Sequence, residues 1–168
     1  MTEMLYTPRT EIDARVRALQ ATLDRLDLDG ALVVHHTNLF YLSGTSQAAH
    51  LFVPRAGAPV LMVRKSFARA RRESPLDEVL EVRSLKLIPD LLRERGYRFD
   101  RLGLELDVMP YTTWQFYQKV FAETRMQDIG EPIRRLRAIK SDYEAGLLAG
   151  ACAVLDQVFA EVPSMLRA

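Results

Sequence analysis

Apolar positions divide the chain into short blocks whose periods alternate between helix and strand. Ile12, Val16, Leu19, Leu23 and Leu26 recur at steps of three and four, which predicts a first helix with one apolar face. Thr10 and Asp13 are placed to cap it, and Gly30 breaks the chain before the next block. Residues 31–34 form a continuous apolar run rich in β-branched side chains, as expected of a strand covered on both faces. Residues 51–53 and 60–63 flank a turn with two prolines and a glycine, which predicts an antiparallel hairpin.

The alternation continues to residue 129. Residues 65–73 read as a helix stopped by Ser74-Pro75, 78–82 as a strand, and 87–95 as a helix closed by Gly96, with Pro89 in its first turn. Residues 102–106 predict a strand. Pro110 starts a helix that would turn Trp114, Tyr117, Val120 and Phe121 to the core, and 126–129 a last strand. Helices alternating with strands, plus one hairpin, imply an α/β fold with a mixed sheet and helices on its faces. Near the end, Ser141 followed three residues later by Glu144 forms a capping box, so a helix starts near Asp142. Tyr143, Leu147, Ala151, Leu155, Val158, Phe159 and Val162 then trace one apolar stripe that needs a partner. The expectation is one domain over residues 1–132 and, over 133–168, a linker with the first helix of a further domain.

Composition narrows the setting. At 168 residues and 48% hydrophobic content, the chain has apolar material for one sizeable core. The single cysteine, Cys152, rules out an internal disulfide and sits in the apolar helix, where packing is its expected role. Residues 1–4 lack the basic and apolar regions of a signal peptide, and no uninterrupted apolar run approaches the roughly 20 residues that span a bilayer. A cytoplasmic protein with no membrane partner is expected. The net charge of +1 recruits neither nucleic acid nor anionic lipid. Arg64, Lys65, Arg69, Arg71 and Arg72 do cluster, either as a solvated helix face or as a contact for an anion or a partner subunit.

No His-Glu-x-x-His, Cys-x-x-Cys, Gly-x-Ser-x-Gly or phosphate-binding glycine loop is present, so no catalytic residue and no metal ligand is assigned. His35 and His36 follow the central strand, at a position where strand ends can face a crevice. Neighbours in an extended segment point to opposite faces, so one is expected to be hydrogen-bonded and the other exposed. Asp100, Glu105 and Asp107 lie at strand ends or turns without a partnered histidine. Asn38 suits a local backbone bond, and Gly44 a positive φ.

Three stretches carry a resemblance. Residues 137–144 read Arg-Ala-Ile-Lys-Ser-Asp-Tyr-Glu, residues 38–44 Asn-Leu-Phe-Tyr-Leu-Ser-Gly, and residues 101–105 Arg-Leu-Gly-Leu-Glu. In that order and spacing they resemble the N-terminal third of the creatinase and Xaa-Pro peptidase family, over about residues 8 to 160. The resemblance implies the ribonuclease H-like creatinase N-terminal fold and a homodimer acting on proline-containing peptides. It also implies two divalent metal ions, manganese, cobalt or zinc, in a separate C-terminal domain, and none in this chain. In relatives, the loop after the Tyr-Leu-Ser-Gly segment reaches towards the neighbouring subunit's active site. By that resemblance Gln47 and His50, and next Arg69 and Arg72, are the candidates for a substrate-cleft or partner contact. Creatinase-type relatives carry aromatic residues and an arginine in this loop. The small and polar side chains here argue against creatine as substrate. The alternatives are the same domain from a creatinase-type amidinohydrolase, and a stand-alone binding or assembly module.

Overall fold

The alternation becomes a six-stranded sheet in the computed structural model, which describes residues 6–166. The strands are β1 (Gly30–Val33), β2 (Ala49–Pro54), β3 (Val60–Val63), β4 (Glu78–Glu81), β5 (Arg101–Leu104) and β6 (Arg125–Asp128), in the order β4-β3-β2-β1-β5-β6. β1–β2 and β2–β3 pair antiparallel, while β3–β4, β1–β5 and β5–β6 pair parallel. This is the mixed sheet the pattern predicts. The hairpin sits beside β1 as expected. Both edge strands carry charge, Glu78 and Glu81 on β4 and Arg125 and Asp128 on β6, which discourages pairing with a further chain.

Successive strand residues feed opposite faces. Ala31, Val33, Leu51, Val53, Leu61 and Val63 face a core closed by α1 (Arg9–Arg25), α2 (His36–Ser43), α3 (Phe67–Glu73) and α6 (Gly130–Ala138). Leu32, Phe52, Val60, Met62, Leu102 and Leu104 face the other core, under α4 (Ile88–Glu94) and α5 (Tyr111–Val120). The central strands β1, β2 and β3 are therefore buried on both sides, which explains continuous runs in place of alternation.

Several boundaries differ from the sequence reading. α1 begins at Arg9 behind Pro8 with no side-chain cap, and Asp13 instead accepts from Arg9 Nε at 3.1 Å. Gly30 is the first residue of β1 and does not break the chain before it; glycine is needed there because a Cβ would lie 2.6 Å from the Phe52 ring. Residues 36–43 form a whole helix that the pattern did not disclose. Trp114 is half-buried and stands apart from the core, whereas Tyr117 and Phe121 are buried as expected. The reading of residues 1–4 lies outside the described residues.

The chain divides into two compact units, Met1–Leu136 and Arg137–Ala168, four residues beyond the expected boundary. Ile133 is fully buried and Leu136 packs against the same core, which keeps most of α6 with the sheet. The second unit is built on α7 (Asp142–Met165), whose capping box is present: Ser141 Oγ accepts from Glu144 N at 3.2 Å, and the Glu144 carboxylate accepts from Ser141 N at 3.0 Å. α7 is long and apolar enough to cross a membrane, with a mean hydropathy of 1.5 over its most apolar window. Beyond its first turn α7 carries charge only at Asp156 and Glu161, which divide the apolar stretch into shorter runs in the sequence.

Candidate functional site

Two family-like segments that lie far apart in sequence meet at one carboxylate. β1 and β5 are parallel neighbours, yet α2 leaves β1 towards one face of the sheet and α5 follows β5 on the other. Between their C-terminal ends lies a crevice of the kind that binds ligands in open α/β sheets. Glu105, fully buried, fills its floor. One carboxylate oxygen accepts from the backbone N–H groups of Val34 and His35, at 2.7 and 2.8 Å, and the other accepts from Asn38 Nδ2 at 2.5 Å.

The start of α2 therefore holds an anion supplied by the protein itself. Exposed N–H groups and the positive end of the helix dipole favour a negative charge there, and Glu105 provides it from 70 residues away in sequence. The Asn38 amide, expected at a local turn, reaches across to Glu105. His36 is exposed. His35 is half-buried and joins the network through its main chain, while its Nδ1 has no partner among the described residues. The remaining recess, about 200 Å³ between Val34, His35, Met109 and Thr113, is smaller than the ~300 Å³ at which ligand pockets usually begin.

The second junction surrounds the loop from Gly44 to Ala48. Gly44 ends α2 in the left-handed region, φ 77°, and its N–H returns to Phe40 O at 2.8 Å. Thr45 is fully buried and its hydroxyl donates to Glu73 at 2.6 Å. Gln47 Nε2 donates to the same oxygen at 3.3 Å, and Arg69 Nε to the other at 2.6 Å. Burial raises the Glu73 pKa, but the hydrogen bonds from Thr45, Arg69 and Gln47 and the Arg69 charge outweigh it and leave the carboxyl below its usual range. Beside this cluster Tyr6, Phe40, Ser46 and Arg69 line an open recess of about 210 Å³.

The candidates Gln47 and Arg69 thus converge on Glu73, a residue the sequence reading passed over. The available signal was a lone acid closing a basic helix, where the dipole disfavours it. Arg72 is exposed and pairs with no carboxylate among the described residues. His50 lies in β2 and not in the loop. It is 5% exposed and faces the α5 side of the sheet, with its Nε2 2.8 Å from Tyr117 Oη. Burial first, and then the nearby Arg64 charge, lower its pKa to about 4, so the ring is neutral near pH 7. Burial pushes the Tyr117 hydroxyl up.

No group of three or more His, Cys, Asp or Glu side chains is placed to hold a metal among the described residues. Glu105 is saturated by N–H donors and Glu73 by Thr45, Gln47 and Arg69. The donor set that a pair of divalent ions requires is not found there.

The Creatinase/Prolidase N-terminal domain family matches residues 15–139. The chain belongs to this family. Among its relatives, the uncharacterized peptidase YqhT of Bacillus subtilis is 23% identical over 154 residues, covering 91% of this chain and 44% of that protein. The Xaa-Pro dipeptidase of Pyrococcus horikoshii is 22% identical over 149 residues, 87% of this chain and 40% of that protein. The structure of an Xaa-Pro dipeptidase from Bacillus anthracis superposes with a TM-score of 0.81 at 19% identity, over 93% of this chain and 44% of that one. The fold expected for the family is therefore the fold observed, and the chain spans less than half the length of these relatives.

Proposed function

We propose that this chain is the non-catalytic N-terminal domain of a cytoplasmic, metal-dependent Xaa-Pro dipeptidase or aminopeptidase. In this reading the domain, residues 1–132, helps form a homodimer, and residues 133–168 lead into a downstream catalytic domain. The loop from Gly44 to Ala48, with Gln47 and Arg69, walls the partner subunit's substrate cleft. The observation that carries the reading is the family match over residues 15–139, in a chain less than half as long as relatives named Xaa-Pro dipeptidase.

The geometry supports it in two ways. The crevice at the strand ends, where a ligand would bind in many α/β proteins, is filled by Glu105. The recess beside Gly44 is open and small, as one wall of a larger cleft would be. Bond cleavage and its two divalent ions belong to the downstream domain. The residues of this chain orient a proline-containing peptide and exclude water from it. The covering of α7 is assigned to protein rather than to lipid, because Asp156 and Glu161 would each be costly in a bilayer.

The test is metal-supplemented hydrolysis of Xaa-Pro dipeptides and proline-containing tripeptides by these 168 residues and by the product of the complete reading frame. Activity in the longer product alone is expected. Activity in the 168-residue chain, or in neither protein, overturns the reading.

A further inference from the structure

We propose that Glu73 is a positioning residue that holds the loop from Gly44 to Ala48 in one conformation. The assignment rests on the proposed function only for the consequence it has on peptide binding; the anchoring itself stands on the local geometry.

The loop leaves α2 at a left-handed Gly44 and enters β2 at Ala49. Its two ends are fixed by helix and sheet, but a five-residue connection has many paths between fixed ends. What selects one path is the side-chain set. Thr45 is turned fully inward and donates to Glu73 at 2.6 Å, while its own Oγ1 accepts from Gln47 N at 3.3 Å. The Gln47 side chain donates to the same Glu73 oxygen. Gly44 is pressed against the same stretch, since a Cβ there would stand 3.3 Å from Glu73 O and 3.2 Å from Pro75 Cδ.

The dipole of α3 does not favour this carboxylate. It closes the helix at the C-terminal end, where the dipole repels an anion, and it follows the basic pair Arg71 and Arg72. One Glu73 oxygen serves the loop, and the other receives Arg69 Nε at 2.6 Å. The arginine neutralises the carboxylate and fixes its rotamer, so that the charge-assisted bond to Thr45 is made at full strength. Ser46 is left exposed beside Phe40 and Arg69, with Gln47 and Ala48 half-buried behind it, on a surface whose shape does not depend on a ligand.

Hydrogen exchange of amides 45–48 in this chain is the test, with Glu73→Ala, Glu73→Gln and Thr45→Val compared against the parent. Glu73→Ala is expected to speed exchange at these amides by about tenfold, the factor carried by one charge-assisted hydrogen bond, while amides of β1 and β5 stay unchanged. Glu73→Gln keeps an acceptor for Thr45 and should restore part of the protection. Thr45→Val, which keeps the volume and removes the hydroxyl, should reproduce the local loss even if Glu73→Ala folds poorly. Unchanged exchange at 45–48, or an equal rise throughout the sheet, overturns the assignment. In the full-length gene product, the same substitutions should raise KM for a proline dipeptide and leave kcat alone. Faster local exchange with an unchanged KM leaves Glu73 as the loop's anchor and overturns the cleft reading.

Discussion

Glu105 is the residue on which most of the inner architecture turns. Its carboxylate is fully buried, yet every contact that compensates its charge is an N–H donor: two from the backbone at the start of α2 and one from Asn38. Truncating it removes the acceptor of two part-buried backbone donors and of the buried Asn38 amide, and each such loss costs about 1 to 3 kcal/mol. Glu105→Ala is therefore expected to lower unfolding stability by about 3 kcal/mol or more, read from the midpoint of a urea transition at constant m. Glu105→Gln keeps the acceptor and loses the charge, and should cost roughly half as much. Formate or acetate, small enough to stand in for the missing carboxylate, should raise the Glu105→Ala midpoint and leave the parent unmoved. An alanine variant as stable as the parent contradicts this account of α2. Neither Asn38 nor Glu105 announces the bond in the sequence, because each residue type is at home at a turn or a strand end, and 67 residues separate them.

Between elements, the contact of β2 with α5 gives the molecule a pH dependence. His50 sits on β2 and Tyr117 on α5, and their side chains meet beneath the helix at 2.8 Å. The charged groups that act on the pair are Arg64 at the end of β3 and Glu105 at the end of β5. Burial lowers the His50 pKa from 6.5 to about 4, so between these values the unfolded chain binds a proton that the folded chain refuses. Stability from this group is fully present above pH 6.5, and is lost as pH falls towards 4. The expected slope is about 1.4 kcal/mol per pH unit inside that window. His50→Gln should flatten the slope of urea midpoint against pH between 6.5 and 4 while leaving that above 6.5 as it was. An identical slope in both proteins assigns the dependence to other groups. As an element, α2 is the other lesson. With only eight residues and no side-chain N-cap of its own, it has too little sequence signal to be read as a helix, and Glu105 completes its start from another strand.

At the scale of the molecule, the two units differ in how their apolar surface is covered. In the first, the two sheet faces bury almost every large aliphatic side chain of the strands. In the second, α7 carries Leu147, Leu155, Val158 and Phe159, and Phe159 is 69% exposed. An isolated apolar helix is marginal in water, so its stability must come from a partner. In the 168-residue chain α7 is expected either to exchange its amides rapidly or to self-associate as concentration rises. Hydrogen exchange together with light scattering checks this. A strictly monomeric chain with a protected α7 contradicts the assignment of that stripe to a domain interface.

Apart from α2 and α6, the residue order alone determined the element types, together with the antiparallel hairpin, the capping box of α7 and the mixed sheet. It did so because each depends on spacing, β-branching or punctuation within a few residues. The resemblance placed the family on three local segments for the same reason. What only the tertiary structure decided is which distant polar groups meet. Asn38 joins Glu105, Thr45 and Gln47 join Glu73, and His50 turns away from the loop to reach Tyr117. A polar side chain leaves no periodic trace of its partner along the chain. Its bond is fixed by where the sheet carries two strand ends and by the cost of burying either group alone.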